Sequence, residues 1–137
     1  MSNDLIPFAL IADDDALIRM DVVHILEDAG FRVHEAANVE EALSILDHAG
    51  DSIRLLFTDV QMPPSKRDGL ELARECAKGW PHIKILVASG RAKPGLGDMP
   101  KGGVFIGKPF SADVVYDRLQ ELLPDGEKPE TLKHRVR

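Results

Sequence analysis

Short apolar runs separated by amphipathic segments set the pattern of this chain. The runs Phe8–Ala12, Ile53–Asp59, Ile83–Ser89 and Val104–Lys108 are almost wholly apolar up to their last residues. Continuous apolar strands are typical of a parallel sheet that is covered on both faces. The run Phe31–Glu35 is weaker and alternates, so we expect it to form a strand at the edge of that sheet.

The segments between the strands show the 3.6-residue period of amphipathic helices. Their apolar positions are Ile18, Val22, Ile25, Leu26 and Ala29, then Ala42, Leu43, Ile45 and Leu46, then Leu70, Ala73, Cys76 and Ala77, and finally Val114, Val115, Leu119 and Leu122. Alternating strands and helices predict an α/β domain with a parallel sheet and right-handed crossovers. The functional site of such a sheet lies at the carboxyl ends of its strands.

One connection between strands lacks the helical period. Arg91–Gly103 contains four glycines, two prolines and few apolar residues. Glycine and proline are poor helix formers, so we expect a loop there with at most one short helical turn. The chain beyond Leu123 combines prolines and a glycine with mixed charge. We therefore expect one domain over residues 1–123 and a flexible tail over residues 124–137.

Composition excludes several functional classes. The 137-residue chain has a net charge of −6 at pH 7, which argues against general nucleic-acid binding because that requires a positive field. The single cysteine, Cys76, excludes an internal disulfide and a cysteine-based zinc site. No apolar run is long enough to span a bilayer, and no basic leader precedes the first strand. We expect a cytoplasmic protein with neither a nucleic acid nor a membrane as partner.

Polar residues interrupt the apolar runs where the strands end. Asp13 and Asp14 follow the first run, while Asp59, Ser89 and Lys108 end the later ones. Two carboxylates about 4 Å apart repel by roughly 4 kcal/mol near a protein surface, so such a cluster favours a cation. Oxygen ligands suit Mg²⁺, and the lysine and the hydroxyl can hold an oxyanion. A carboxylate in that position can act as a nucleophile and form an aspartyl phosphate.

Several short segments together resemble the response-regulator receiver domain. The segments are Ala12–Asp15, Thr58–Pro63 with Asp68–Leu70, Ala88–Gly90 and Gly107–Phe110. The resemblance extends from about Ile6 to Leu123. It implies a doubly wound, flavodoxin-like sheet of five parallel strands in the order 2-1-3-4-5. The helix that receivers have between their fourth and fifth strands is degenerate in this sequence.

The resemblance also implies how a phosphoryl group would be accepted. Asp59 would be the phosphoacceptor. Mg²⁺ would be bound by Asp13, Asp14, Asp59 and the backbone carbonyl of Gln61, directly by Asp14 and largely through water by Asp13. Gln61 and Arg91 would flank the path of the attacking water and tune the lifetime of the phosphoryl group.

Further residues would report the phosphoryl group to the rest of the domain. By the same resemblance, Ser89 would hydrogen-bond the phosphoryl group, and Lys108 would pair with Asp59 and then with the phosphoryl oxygens. Phe105 would be the aromatic side chain whose rotamer responds to Ser89. The peptide bond between Lys108 and Pro109 would be cis, against a background of about 5–6% for such bonds.

The leading hypothesis is a stand-alone response regulator of a two-component phosphorelay. A histidine kinase or a histidine phosphotransfer protein would phosphorylate it, and it would signal by changing which protein it binds. It would not be an enzyme beyond its own phosphorylation and dephosphorylation. A second hypothesis is a docking module that signals without phosphate, although the complete set of site residues counts against it. A third is a phosphohydrolase: Asp13 and Asp15 have the required spacing, but Leu17 replaces the expected hydroxyl residue.

Overall fold

The computed structural model describes residues 6–63, 67–90, 95 and 97–133. Its strands are β1 (Phe8–Ala12), β2 (Arg32–Ala36), β3 (Ile53–Asp59), β4 (Lys84–Ser89) and β5 (Val104–Gly107). Its helices are α1 (Ala16–Asp28), α2 (Val39–Ala49), α3 (Gly69–Gly79), α4 (Ala112–Leu122) and the short α5 (Glu130–Lys133), with 3₁₀ turns at Gly50–Ser52 and Asp125–Glu127. In this described part, no helix is long and apolar enough to cross a membrane.

The strands form one five-stranded parallel sheet in the order β2-β1-β3-β4-β5. This confirms the predicted flavodoxin-like order and the placement of the second strand at an edge. The register sets Ala12 beside Thr58 and Asp59 beside Ala88. The carboxyl ends of β1, β3 and β4 therefore finish side by side, at the edge where we expected the site.

Each face of the sheet is covered by its own hydrophobic core. On one face α1 and α4 pack through buried residues such as Leu26 and Leu119. On the other face α2 and α3 pack through Leu46 and Leu72. Burying a leucine contributes roughly 1.5–3 kcal/mol. The two cores hold the strands, and hence the residues at their ends, in fixed positions.

The helices begin at capping side chains that lie close to the strand ends. The caps are Asp15 on Leu17 and Ile18, Asn38 on Glu41, Asp68 on Glu71 and Ser111 on Val114, each accepting from those backbone amides. Such a cap is worth about 1 kcal/mol. The third acid of the run after β1 is thus a helix cap, which leaves its two neighbours for the site.

The connection between β4 and β5 contains no helix in its described residues, which are Gly90, Gly95 and 97–103. The Asp98 amide donates to the Gly95 carbonyl at 3.2 Å in a tight turn. Arg74 of α3 donates to the Asp98 carbonyl at 2.7 Å and ties that turn to the domain. These residues agree with the predicted degenerate helix. The other residues of the predicted loop lie outside the described part.

The chain beyond Leu123 differs from the flexible tail that we expected, as far as Lys133. A 3₁₀ turn leads into α5, and Leu132 is fully buried in the core between α1 and α4. The side-chain amide of Gln120 donates to the Leu132 carbonyl at 2.7 Å. One apolar side chain and one hydrogen bond therefore anchor a segment whose composition is typical of a mobile end. Residues 134–137 lie outside the described part.

Candidate functional site

Three carboxylates converge at the carboxyl edge of the sheet. Asp13 and Asp14 lie in the turn after β1, and Asp59 is the last residue of the neighbouring strand β3. Each of the three offers an oxygen atom within 4.8 Å of those of the other two. The structure thus brings together the predicted acidic residues, because adjacent parallel strands end at the same level.

Lys108, which follows β5, reaches back across the sheet to this cluster. Its ammonium lies 3.1 Å from Asp59 Oδ1 and 3.3 Å from Asp13 Oδ2, and its side chain is only 18% exposed. The Lys108 amide donates to the Ser89 carbonyl at 2.9 Å. The backbone of Lys108 is therefore held by the end of β4. The Lys108–Pro109 peptide bond is cis, in agreement with the expectation.

The three carboxylates differ in the hydrogen bonds and ion pairs that they already make within the protein. Asp13 Oδ1 accepts from the Asp15 amide at 2.9 Å, and Asp59 Oδ1 accepts from the Val60 amide at 3.0 Å. Asp14 is exposed, and no hydrogen bond or ion pair joins its carboxylate to another described residue. Asp14 is therefore the carboxylate that is most open to an ion from solvent.

The electrostatics of the cluster are unbalanced towards negative charge. Burial raises the pKa of Asp59, the ion pair with Lys108 opposes this, and the Asp13 carboxylate adds to it. Burial by itself lowers the pKa of Lys108, but its contacts with Asp59 and Asp13 outweigh that effect and raise it. Lysine is thus held in its charged form, while ionised Asp59 still lacks full compensation.

The donor set fits a hard divalent cation. All three side chains offer carboxylate oxygens, one of them is exposed, and the other two are largely buried at the bottom of the cluster. Oxygen ligands and an open, water-accessible side are what Mg²⁺ prefers, since it gives up its own water reluctantly. This acidic cluster can therefore hold a metal ion.

The remaining predicted residues surround the cluster at different depths. Ser89 is buried at the end of β4, one residue beyond the residue that pairs with Asp59. Phe105 is half-buried in β5, and Gln61 is exposed two residues after β3 ends. Arg91 lies outside the described residues. The structure thus places the predicted hydroxyl next to the acids and the predicted aromatic one strand away.

The sequence did not reveal the structural role of two residues at the site. A Cβ on Gly69 would lie 1.7 Å from the Asp59 carbonyl oxygen, so only glycine lets α3 begin against this strand end. Arg19 of α1 donates to the Asp13 carbonyl at 2.8 Å and to Glu35 at 3.1 Å. Helical side chains lean towards the helix N-terminus, but no sequence pattern marks Arg19 as the one that reaches this turn.

A parallel sheet of this order, with acids and a lysine at its carboxyl edge, places the chain among the flavodoxin-like α/β proteins. Residues 9–120 match the model of the response regulator receiver domain. The chain belongs to this family.

Curated relatives support the assignment at the level of sequence. The chain is 32% identical over 117 residues to the response regulator receiver protein CpdR of Brucella abortus, covering 83% of this chain and 94% of CpdR. It is 35% identical over 117 residues to the sensor kinase CckA of the same organism, again over 83% of this chain. The chain spans 12% of the length of that kinase and 27% of NtrX from Azorhizobium caulinodans.

Solved structures support it at the level of the fold. A response regulator receiver protein from Sinorhizobium medicae superposes with a TM-score of 0.77 at 26% identity, covering 85% of this chain and 94% of that one. A CheY-like receiver domain protein from Methanospirillum hungatei superposes with a TM-score of 0.76 at 26% identity, covering 89% and 97%. The single five-stranded sheet with helices on both faces is thus the fold of known receivers.

Proposed function

We propose that this protein is a receiver of a two-component phosphorelay that accepts a phosphoryl group on Asp59 and signals through protein binding. The observation that carries the proposal is the position of Asp59, largely buried, 3.1 Å from Lys108 and beside two further acids. Receiver domains are signalling modules, which supports the class of function. The similarity to the response regulator receiver protein CpdR, of which the chain covers 94%, supports the same class.

The transfer would take place at the carboxylate of Asp59. Within the described residues, the Val60 amide and the Lys108 ammonium both contact Oδ1 of this carboxylate, so Oδ2 would be the attacking atom. Oδ2 would attack the phosphorus of a phosphohistidine, so that a P–O bond forms as the P–N bond breaks. The imidazole leaves with the bonding electrons and takes up a proton, and the aspartyl phosphate remains.

The acids beside Asp59 would hold the ion that the transfer requires. Asp14 and Asp59, with Asp13 through water and the backbone carbonyl of Gln61, would bind Mg²⁺. The bound ion would offset the negative charge of the carboxylate and the phosphoryl oxygens. The Gln61 side chain and Arg91 would set how readily water reaches the phosphoryl group, and hence its lifetime.

Lys108 and Ser89 would turn the transfer into a conformational signal. The Lys108 ammonium would move from Asp59 to the phosphoryl oxygens, and the Ser89 hydroxyl would donate to the same group. Their backbones are joined by a 2.9 Å hydrogen bond, so the two would shift together. Phe105 would follow Ser89. Such contacts favour one of two states, which is the condition for phosphorylation to change binding of a downstream protein.

The phosphodonor would dock on α1 beside the site. Leu17 and Met20 are 73% and 50% exposed, although apolar. A groove of about 550 Å³ lined by Ile18, Phe110 and Lys108 runs along the same helix and ends at the lysine of the site. A histidine kinase or phosphotransfer protein that covers this apolar surface would bring its phosphohistidine to the acceptor and exclude water.

Exchange of the exposed side chains tests the docking surface. Leu17→Ser with Met20→Ser should slow transfer from a phosphorylated histidine phosphotransfer protein about tenfold or more, because two apolar contacts of about 1.4 kcal/mol in total are lost. Phosphorylation by a small donor should be unchanged. Val114→Ser is the matched control, because Val114 is an exposed apolar residue of α4. Equal slowing with both donors would show that the change damages the site itself.

Incubation with a small phosphodonor, with and without Mg²⁺, tests the function as a whole. The proposal predicts a Mg²⁺-dependent phosphoryl group on the wild type and none on Asp59→Asn. Asp15→Asn is the matched control, because asparagine keeps the helix cap and the acid lies outside the proposed ligand set. Absence of label would favour the docking module. Turnover of a phosphomonoester without label on Asp59 would favour the phosphohydrolase.

A further inference from the structure

Arg19 in the second turn of α1 joins the ends of two strands. Its Nη1 donates to the Asp13 backbone carbonyl at 2.8 Å, and its Nε donates to Glu35 Oε1 at 3.1 Å. The side chain is 20% exposed, whereas Glu35 is 52% exposed. A single guanidinium therefore connects the turn after β1 with the end of β2, and the acid holds it from the solvent side.

The carbonyl that Arg19 binds belongs to the peptide between Asp13 and Asp14. A peptide unit is planar, so the direction of the Asp13 carbonyl also fixes the amide of Asp14 and the Cα atom from which its side chain extends. The Asp13 amide already donates to Ala36 at 3.0 Å, and Asp13 Oδ1 accepts from the Asp15 amide. The bond from Arg19 thus adds a hold on the Asp13 carbonyl, which neither of these two bonds involves.

We propose that Arg19 is a positioning residue for the metal site: it orients the peptide that carries Asp13 and Asp14 towards Asp59, and Glu35 orients Arg19. Arginine suits this role because its planar fork presents two N–H groups at a fixed angle. A lysine ammonium has no such fork and cannot serve both acceptors with the same geometry. The inference rests on the proposed function only in taking Mg²⁺ as the ion that the acids bind.

A positioning role and a simple charge effect predict opposite changes in Mg²⁺ affinity when Arg19 is replaced. Arg19 carries a positive charge near a site for a cation. If only its field mattered, its removal would strengthen Mg²⁺ binding, because repulsion between like charges would disappear. If it positions the turn, its removal weakens Mg²⁺ binding, because the two acids lose their fixed orientation. The direction of the change therefore separates the two explanations.

Calorimetric titration of the full chain with Mg²⁺ alone measures this direction. Arg19→Gln should raise the dissociation constant roughly three- to tenfold, as the loss of one or two hydrogen bonds implies. Arg19→Lys should weaken binding as well, although it keeps the charge. Arg54→Gln is the matched control, since Arg54 also donates to a backbone carbonyl, that of Asp51 at 2.7 Å, but lies at the other end of the sheet.

A double-variant cycle tests the part played by Glu35. Glu35→Gln should weaken Mg²⁺ binding in the wild type and have no further effect in the Arg19→Gln background, because it acts through the guanidinium. An effect of Glu35→Gln that is equal in both backgrounds would show a direct field effect and would contradict the proposed relay. Amide chemical shifts of Asp14 and Asp15 in metal-free protein should change in both single variants.

The outcomes distinguish this inference from the function on which it rests. A wild type that does not bind Mg²⁺ contradicts the metal site of the proposed function. A wild type that binds Mg²⁺, with Arg19→Gln binding it equally well or more tightly, contradicts the positioning role alone. Unfolding curves confirm that each variant is folded. If Arg19→Gln does not fold, Arg19→Lys decides, and unchanged affinity in that variant overturns the inference.

Discussion

At the scale of single residues, Asp59 makes the stability of the fold depend on pH. Burial raises its pKa above the ordinary value of 3.8, despite the ion pair with Lys108. The folded state therefore binds this proton more tightly than the unfolded state does. The stability that the proton contributes is fully present below about pH 3.8 and is lost as pH rises through the raised pKa.

Asp59→Asn should remove this pH dependence. Asparagine cannot ionise, so in metal-free buffer the variant should gain stability relative to the wild type as pH rises from 3.8 towards neutrality. Denaturant unfolding of both proteins over a series of pH values measures the difference in free energy of unfolding. A difference that is constant or falls with rising pH would show that the raised pKa of Asp59 is wrong.

The residue scale also shows what the sequence could predict. Asp13, Asp14, Asp59 and Lys108 interrupt apolar runs, and the ends of parallel strands must meet at one edge, so their convergence follows from the pattern. The bond from Arg19 to a backbone carbonyl leaves no comparable pattern. It depends on the rotation of α1 about its axis, which tertiary packing decides.

At the scale of elements, the structure agrees with the prediction for the connection between β4 and β5 but differs from the prediction for the C-terminal segment. Glycine and proline disfavour a helix through local backbone effects, so their density predicted turns over the described part of 91–103. The α5 segment has only four residues, Glu130–Lys133, and a single buried apolar side chain, Leu132. No helical period can be recognised in so short a segment, and its order comes from the surface onto which it packs.

That surface depends on Gly30 at the end of α1. Gly30 has a φ of 104°, which favours glycine, and a Cβ there would lie 2.7 Å from the Cβ of Pro129. The glycine therefore both ends the helix and makes room for the returning chain. The first role is local to the helix end, but the second depends on a contact between residues about 100 positions apart.

Leu132→Ala should be strongly destabilising if the segment belongs to the core. Removal of a fully buried leucine side chain costs about 2–5 kcal/mol. Leu17→Ala is the matched control, because Leu17 is 73% exposed and its loss should change stability by about 0.5 kcal/mol or less. Denaturant unfolding of the full chain measures both. Equal, small effects would mean that residues 124–133 form the flexible tail after all.

At the scale of the whole molecule, the fold brings together groups that are distant along the chain. Lys108 and Asp13 are 95 residues apart, yet their side chains are in contact. This contact requires all of the sheet between β1 and β5 and both cores, so the site exists only in the folded state. Ligands of the site should therefore stabilise the fold by linkage.

Mg²⁺ should accordingly raise the stability of the wild type. At a free concentration 100 times the dissociation constant, the gain in free energy of unfolding is about 2.7 kcal/mol. Asp14→Ala should lose most of this gain, because it removes the carboxylate that is most open to the ion. Thermal unfolding with Mg²⁺ and with a chelator measures the effect. An Asp14→Ala protein that is stabilised as much as the wild type would contradict the assigned ligand set.

The central claim is that the carboxylate of Asp59 receives the phosphoryl group, and mapping of that group tests it most directly. The protein is phosphorylated by a small donor with Mg²⁺, the acyl phosphate is reduced with borohydride, and tandem mass spectrometry locates the reduced side chain. The account predicts reduction at Asp59 alone, and none when Mg²⁺ is removed before the donor is added. Reduction at Asp13 or Asp14 with Asp59 intact would contradict it.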